Sequence, residues 1–385
     1  MDACDALIVG GGPAGSTCAW ALTRAGIEVA ILDKATFPRE KVCGGWITPQ
    51  IIDSLQIDFH EYAPRRILQP ITGFRTSCMG DRETETHYQR PVSYGIRRIE
   101  FDDFLLRRSG ARLFEGEPVR TVEKTGAGWL INDHIRAHVL IGAGGHFCPI
   151  AQYLNPAKHG EVVVAAQEAE FEMTPAQQRL CSIRPEIPEL YFCRDLRGYG
   201  WCFRKDNYLN VGLGRLDSHR LGAHVAGFID FLRRTDKIAF DLPSKLLGHA
   251  YLLYGRANRK TIDDRVMLIG DAAGMAYAQS GEGIRPAIES GLLAARVLAE
   301  ADGNSSLKHL SSYHDLLAER FGHNEEWSTR IGKKLPPRLM SSLGRLLLAT
   351  PWFSRQVVLE NWFLHTGEPA LAPRPAAAEL VSASS

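Results

Sequence analysis

Several things are missing from this chain of 385 residues. No two of its eight cysteines stand in CxxC spacing, and no His/Cys cluster has the spacing of a zinc site, so no metal centre is expected. Scattered cysteines in a chain of this size read as reduced thiols in a cytoplasmic setting. There is no excess of one charge: 45 basic against 44 acidic side chains leave a formal net charge of +1, which gives nucleic acid no electrostatic foothold. No run approaches the roughly 18 apolar residues that a membrane-spanning helix needs. The opening Met-Asp-Ala-Cys-Asp has no basic region, so no signal peptide is expected. G-x-S-x-G, a Ser-His-Asp order and a paired-carboxylate context are all absent, which leaves hydrolysis unsupported. His146, His249 and His314 are isolated and read as surface or structural histidines rather than bases. No internal repeat is visible.

What is present is an ordinary globular mixture, 45% hydrophobic and 23% charged, with a generous 36 glycines. The length predicts one large or two interleaved domains. Residues 5–10 read as a buried strand, Pro13 to Arg24 as a helix ended by Gly26, and Ile27–Leu32 as a second strand, which together make a βαβ opening. Thr48-Pro49 looks like the start of a further helix. Phe101–Arg108 read as a helix, and residues 160–215 as an antiparallel sheet. Helices are expected near 219–235, 282–301, 307–325 and, with breaks, 336–364. The last dozen residues are low in complexity and expected to be disordered.

Two motifs carry chemistry. Gly10-Gly11-Gly12-Pro13-Ala14-Gly15 fits G-x-G-x-x-G, follows a strand and opens a helix. Gly10, Gly12, Ala14 and Gly15 let the backbone approach a pyrophosphate at a helix N-terminus. Asp33, ending the second strand, can accept from a ribose diol. The second motif is Gly270-Asp271 after a short strand, followed by Gly281-Glu282-Gly283-Ile284. Asp271 at a strand end suits a polyol hydroxyl, and Gly283 with Ile284 opens a helix facing an anion or ring carbonyl.

Together these motifs resemble the flavoprotein family that includes para-hydroxybenzoate hydroxylase and the geranylgeranyl reductases. The resemblance spans roughly residues 1–300 and points most specifically to the reductase branch. Phe37-Pro38-Arg39-Glu40-Lys41-Val42-Cys43-Gly44-Gly45 is similar to that branch's cysteine loop. Arg98-Ile99-Glu100-Phe101-Asp102 matches its Arg-x-x-Phe-Asp. Tyr199-Gly200-Trp201-Cys202-Phe203 followed by Gly212-Leu213-Gly214 matches its substrate-domain signature. The resemblance implies FAD, with Gly10, Gly12, Ala14, Gly15, Asp33, Cys43, Gly44, Arg98, Val122, Asp271, Gly283 and Ile284 around it, and NAD(P)H as a transient electron donor. It implies an α/β fold: a discontinuous Rossmann-like FAD-binding domain (1–70, 95–155 and 260–300), an antiparallel substrate domain (71–94 and 156–259) and C-terminal helices (301–372). Two chemistries follow from the two branches. Reduced flavin saturates an activated double bond, or it takes up dioxygen and hydroxylates an aromatic substrate. A non-catalytic redox flavoprotein is the third reading.

Departures from the family pattern sharpen the expectations. Gly144-Gly145 stands where relatives carry Asp-Gly, which bears on handling of the nicotinamide donor. Arg204 replaces a proline and puts a cation beside the substrate, favouring a polar, anionic or peptide-like small molecule. Tyr199, Trp201 and Phe203 alternate along a strand and so face one way, as a substrate wall or as sheet core. Cys43 is assigned a chemical role at the flavin or, alternatively, that of a small buried hydrophobe. In the C-terminal stretch, Leu339, Met340, Leu343, Leu346 and Leu347 share a helical face beside Lys333, Lys334, Arg338 and Arg345. Such a helix covers the substrate domain or lies peripherally on a membrane; packing is the favoured reading.

Overall fold

The computed structural model describes residues 2–156, 161–217, 219–322 and 337–373, with side chains omitted at 337–340. β1 (Asp2–Val9) runs into α1 (Pro13–Arg24) and β2 (Val29–Asp33), the expected βαβ opening. All four of β1's last residues are buried, as a central parallel strand requires. β1 pairs in parallel with β2 on one side and with Ile135–Gly142 on the other. The sheet continues through Val266–Leu268 to Ile262–Asp263 at one end and to Arg112–Glu115 at the other. It has eight strands in all, including an antiparallel hairpin of Val122–Thr125 and Gly128–Ile131. Strands from both ends of the chain thus meet in one sheet, the discontinuity that the sequence predicted.

A second sheet has seven strands, in the order Leu247–Leu252, Val163–Glu172, Tyr208–Arg215, Gly198–Lys205, Glu189–Phe192, Gly73–Cys78 and Thr84–His87. It is antiparallel except where Glu189–Phe192 runs parallel to Gly73–Cys78. A small three-stranded sheet of Trp46–Ile47, Ser93–Ile96 and Leu68–Ile71 lies in the same stretch of chain as the cysteine loop. The helix Ile284–Glu300 packs along α1: a Cβ on Gly291 would come within 3.3 Å of the Cys18 backbone nitrogen. This close approach brings the N-terminal ends of the two helices to the same cavity.

The C-terminal region is helical, with Pro337–Leu348 followed by a π-helix at Phe353–Phe363. Leu348, Val358, Leu359 and Phe363 are buried in one cluster with Trp46, Trp201 and Phe203. Arg345 is tied to Asp81 by two hydrogen bonds of 2.8 and 2.6 Å. The helix is thus held through Leu348 and Arg345, but the apolar face named in the sequence does not cover the substrate domain: its described members Leu343, Leu346 and Leu347 are exposed. Lys333, Lys334 and the tail from 374 lie outside the described residues, as do the side chains of Arg338, Leu339 and Met340. Among the described residues, no helix is long and apolar enough to cross a membrane.

Candidate functional site

A cavity of about 440 Å³ joins the two sheets. Gly10, Gly12, Ala14 and Asp33 line one part of it, Asp271, Gly283 and Ile284 another, and Tyr199, Trp201 and Phe203 a third. Cys43, Gly44 and Arg98 lie on the wall as well. Motifs far apart in the chain therefore share one space.

The glycine loop shows why it is built as it is. Gly10 has φ of +116°, and a Cβ there would collide with the carbonyl of Ala143 on the neighbouring strand. At Gly12 a Cβ would meet only Arg39 Nη2, at 3.4 Å, so that position is open on the cavity side. Gly15 does not line the cavity; it lets α1 close onto the carbonyl of Gly10. Asp33 accepts from Gly11 N–H at 2.7 Å and from Ala35 N–H at 2.8 Å, which locks its carboxylate at the cavity rim. Gly12 and Gly283, the N-caps of α1 and of Ile284–Glu300, make no side-chain cap. The α1 end thus opens on the cavity, where an anion is stabilised, whereas at the second helix the Glu282 carboxylate accepts from the Arg285 N–H at 2.9 Å. Among the described residues, none groups into a metal site.

The middle of the cavity is charged. Arg98 is buried and grips Asp102 through two hydrogen bonds of 2.7 and 2.8 Å, with Arg39 at 3.4 Å from the same carboxylate. Lys41 Nζ lies 3.1 Å from the His249 ring, and His249 Nε2 lies 3.3 Å from Asp271. Burial pushes Lys41 down to about 8, and it lowers His249 as well. Asp271 is held below the usual carboxylate range by the His249 hydrogen bond and by Lys41 and Arg98, against the cost of burial. Glu282, on the same wall, is pushed up to about 7 by burial.

The far end is aromatic. Trp46 stacks on Phe203 with ring centroids 5.2 Å apart, and Phe363 from the π-helix packs edge-on against Trp46 and Tyr199. Tyr199 donates to the Ser280 carbonyl at 2.6 Å. Gly44 lies on this wall: a Cβ there would come within 3.0 Å of the Phe203 ring.

Besides Gly15, two expected positions fall elsewhere. Arg204 does not line the cavity, because strand alternation turns it away from the face that Tyr199, Trp201 and Phe203 share. It donates to the carbonyl of Asp206 at 2.9 Å, closing its own hairpin turn, and puts no cation beside a substrate. Val122 sits on an edge hairpin of the first sheet, and Val119, three residues earlier, lines the cavity instead. In the other direction, Lys41, Glu282, His249, Tyr251 and Trp46 line the cavity without having been singled out. Lys41 and Glu282 stand inside the quoted motifs and were legible there. His249, read as an isolated histidine, shares a strand face with Tyr251, and only the pairing of that strand brings it to the site.

Residues 8–70 match the family described as NAD(P)-binding Rossmann-like domain. The chain is 30% identical over 376 residues to the menaquinone reductase of Mycobacterium tuberculosis (strain ATCC 25618 / H37Rv), covering 90% of this chain and 88% of that protein. The crystal structure of a geranylgeranyl bacteriochlorophyll reductase-like protein from Thermoplasma acidophilum matches with a TM-score of 0.70 and 22% identity, over 100% of this chain and 96% of that one. The flavin-dependent brominase Bmp2 matches with a TM-score of 0.66 and 18% identity, over 99% and 98%.

Proposed function

We propose a reaction for this chain, which belongs to the geranylgeranyl reductase family of FAD-dependent oxidoreductases: reduction of a carbon–carbon double bond in an apolar, isoprenoid-type substrate, with FAD as hydride carrier. The observation that carries the reading is the single cavity running from the glycine loop, past Asp271, to the aromatic wall.

The residues fit FAD. Gly12 leaves room at the α1 N-terminus for a pyrophosphate, and Asp33 stands where a ribose would be held. Asp271 carries a charge suited to a polyol chain, and Gly283 and Ile284 start the second helix on the same wall, with the Glu282 carboxylate across its first turn. When bound, FAD supplies hydride exchange at its ring system. Everything else falls to the protein. Tyr199, Trp201, Phe203 and Trp46 bind and orient an apolar chain and keep water away from it. Saturation adds one hydride and one proton, and Glu282 and Lys41 both exchange a proton near neutral pH at the cavity wall. Arg204 lies off the cavity, so its charge does not oppose an apolar substrate there.

The division of the chain into a cofactor part and a substrate cap belongs to the same proposal, supported by which strands share which sheet. So does NAD(P)H as transient donor. Cys43 borders the reacting centre in this reading.

The test is anaerobic. Purified protein is reduced with NADPH, or with dithionite if NADPH fails, and mixed with prenyl lipids and prenylated quinones. The expected result is flavin reoxidation with the two added hydrogens in the prenyl chain and not on the quinone ring. In a parallel sample of reduced protein opened to air with an aromatic acid, a product one oxygen atom heavier would replace reduction with hydroxylation.

A further inference from the structure

The Cys43–Gly45 loop is held from the second sheet. Both polar groups of the Cys43 peptide are taken by buried side chains there. Its N–H donates to Glu168 Oε1 at 2.6 Å, and its carbonyl accepts from Asn210 Nδ2 at 3.0 Å. Glu168 and Asn210 are only 3% and 1% exposed. Asn210 is fixed in turn by Trp201 Nε1, which donates to its Oδ1 at 2.7 Å. The second oxygen of Glu168, Oε2, is buried without a hydrogen-bond partner. An acceptor for one N–H needs no charge, and a carboxylate with an open oxygen is costly to bury. A carboxylate at this point calls for a use that a neutral side chain would not serve.

Cys43 supplies the second half of the argument. All eight cysteines are free, and Cys43 is half-buried where the other seven are buried. The Arg98 charge holds the Cys43 thiol down against the upward push of its surroundings. The loop that carries it lies on the aromatic wall, at the point where the charged and apolar parts of the cavity meet.

We propose that Glu168 is a positioning residue: with Asn210 it fixes the Cys43 peptide over the cavity, and its carboxylate sets the reactivity of the Cys43 thiol. The groups that face the pair come from several elements. Glu168 is faced by Glu170 on its own strand and by Lys205 from Gly198–Lys205, and the thiol by Arg98, Tyr199 and Tyr251. Burial pushes Glu168 up to about 7, so its charge appears as pH rises through neutrality. That charge raises the thiol, on top of burial, while Arg98 lowers it. The inference rests on reading the cavity as the reaction site, but thiol reactivity reports on it without any appeal to flavin chemistry.

The experiment follows alkylation of the purified full-length protein by iodoacetamide, site by site, across about pH 6 to 10, the span in which thiolate forms. Wild type should show one fast cysteine, lost in Cys43→Ser. Glu168→Gln keeps an oxygen for the Cys43 N–H but carries no charge. Its rate curve should move to lower pH, with a gain over wild type that is small near neutrality and rises to the order of tenfold by about pH 8 to 9, where Glu168 is charged, the effect of about one pH unit of thiolate. Glu168→Ala also removes the acceptor. It should alkylate faster still and raise KM for substrate, with Gln restoring KM. Coincident curves for wild type and Glu168→Gln, or a fast label that survives Cys43→Ser, overturn the proposal. If the alanine variant does not fold, the glutamine comparison decides alone. Flavin content of the same samples separates the two readings: normal flavin with coincident curves rejects Glu168 only, whereas flavin-free protein rejects the site and leaves the thiol result standing.

Discussion

Gly10 and Gly12 look equivalent in the motif but answer to different demands. A side chain at Gly10 strikes the neighbouring strand and forces a rarely adopted φ, so Gly10→Ala should damage the fold itself. Gly12 has room on the protein side, so Gly12→Val should leave the melting curve of the flavin-free protein nearly unchanged and abolish FAD binding. Calorimetry beside flavin titration checks both, and a Gly12→Val protein with full flavin content would remove the glycine loop from the site. A similar contrast holds at the other end. Trp201→Ala should cost about 1–3 kcal/mol in kcat/KM for substrate, the scale of a lost aromatic contact. Arg204→Leu should change nothing, because its guanidinium serves its own turn. A substrate-dependent effect of Arg204→Leu would show that strand alternation has been misapplied.

At the scale of elements, the Gly-x-Gly of Tyr208–Arg215 has a physical cause that its sequence does not display. Trp201 lies across from Gly212, and a Cβ at 212 would overlap the indole and come within 2.7 Å of Glu168 Cβ. Gly212→Ala should therefore push Trp201 into the cavity, at about 1–3 kcal/mol of stability, the usual scale of overpacking. Raised KM together with a changed near-ultraviolet spectrum is the expected signature; an unchanged spectrum would mean that the strand gives way and the ring stays in place. The same pair shows what was legible. The glycine loop, Asp33 and the Asp271 turn could be read because backbone constraint and strand–turn–helix order are local. The three aromatics could be read because alternation is local too, and the same alternation, applied one residue further, excludes Arg204. Glu168, Asn210 and His249 could not, since each reaches the site through strand pairing across tens of residues. Val122 missed by three positions, because nothing local says where the chain leaves the cavity and enters the hairpin.

For the whole molecule, the buried carboxylate has a thermodynamic signature. Glu168 titrates at about 7 in the folded protein against an ordinary value of 4.5. Across that window the native state keeps a proton that the unfolded chain has released, so its contribution to stability falls as pH rises. Glu168→Gln does not titrate, and it should gain on wild type by up to about 1.4 kcal/mol per pH unit over the window. Asp81, Asp271 and Glu85 work in the opposite sense, but their pKa values are lowered, so their loss comes on further acidification. Denaturant unfolding of both proteins at about pH 5 and about pH 7 measures the difference; parallel profiles would show that Glu168 is already charged when folded.

Trp46 and Trp201, two of the seven tryptophans, both stand on the cavity wall. Indole emits where oxidised flavin absorbs, so these two side chains form a built-in optical gauge. Adding FAD to flavin-free protein should dim the ultraviolet emission in proportion to loading. Trp201→Phe should remove much of the dimming while leaving the other indoles as an internal reference, and occupancy could then be followed without watching turnover at all.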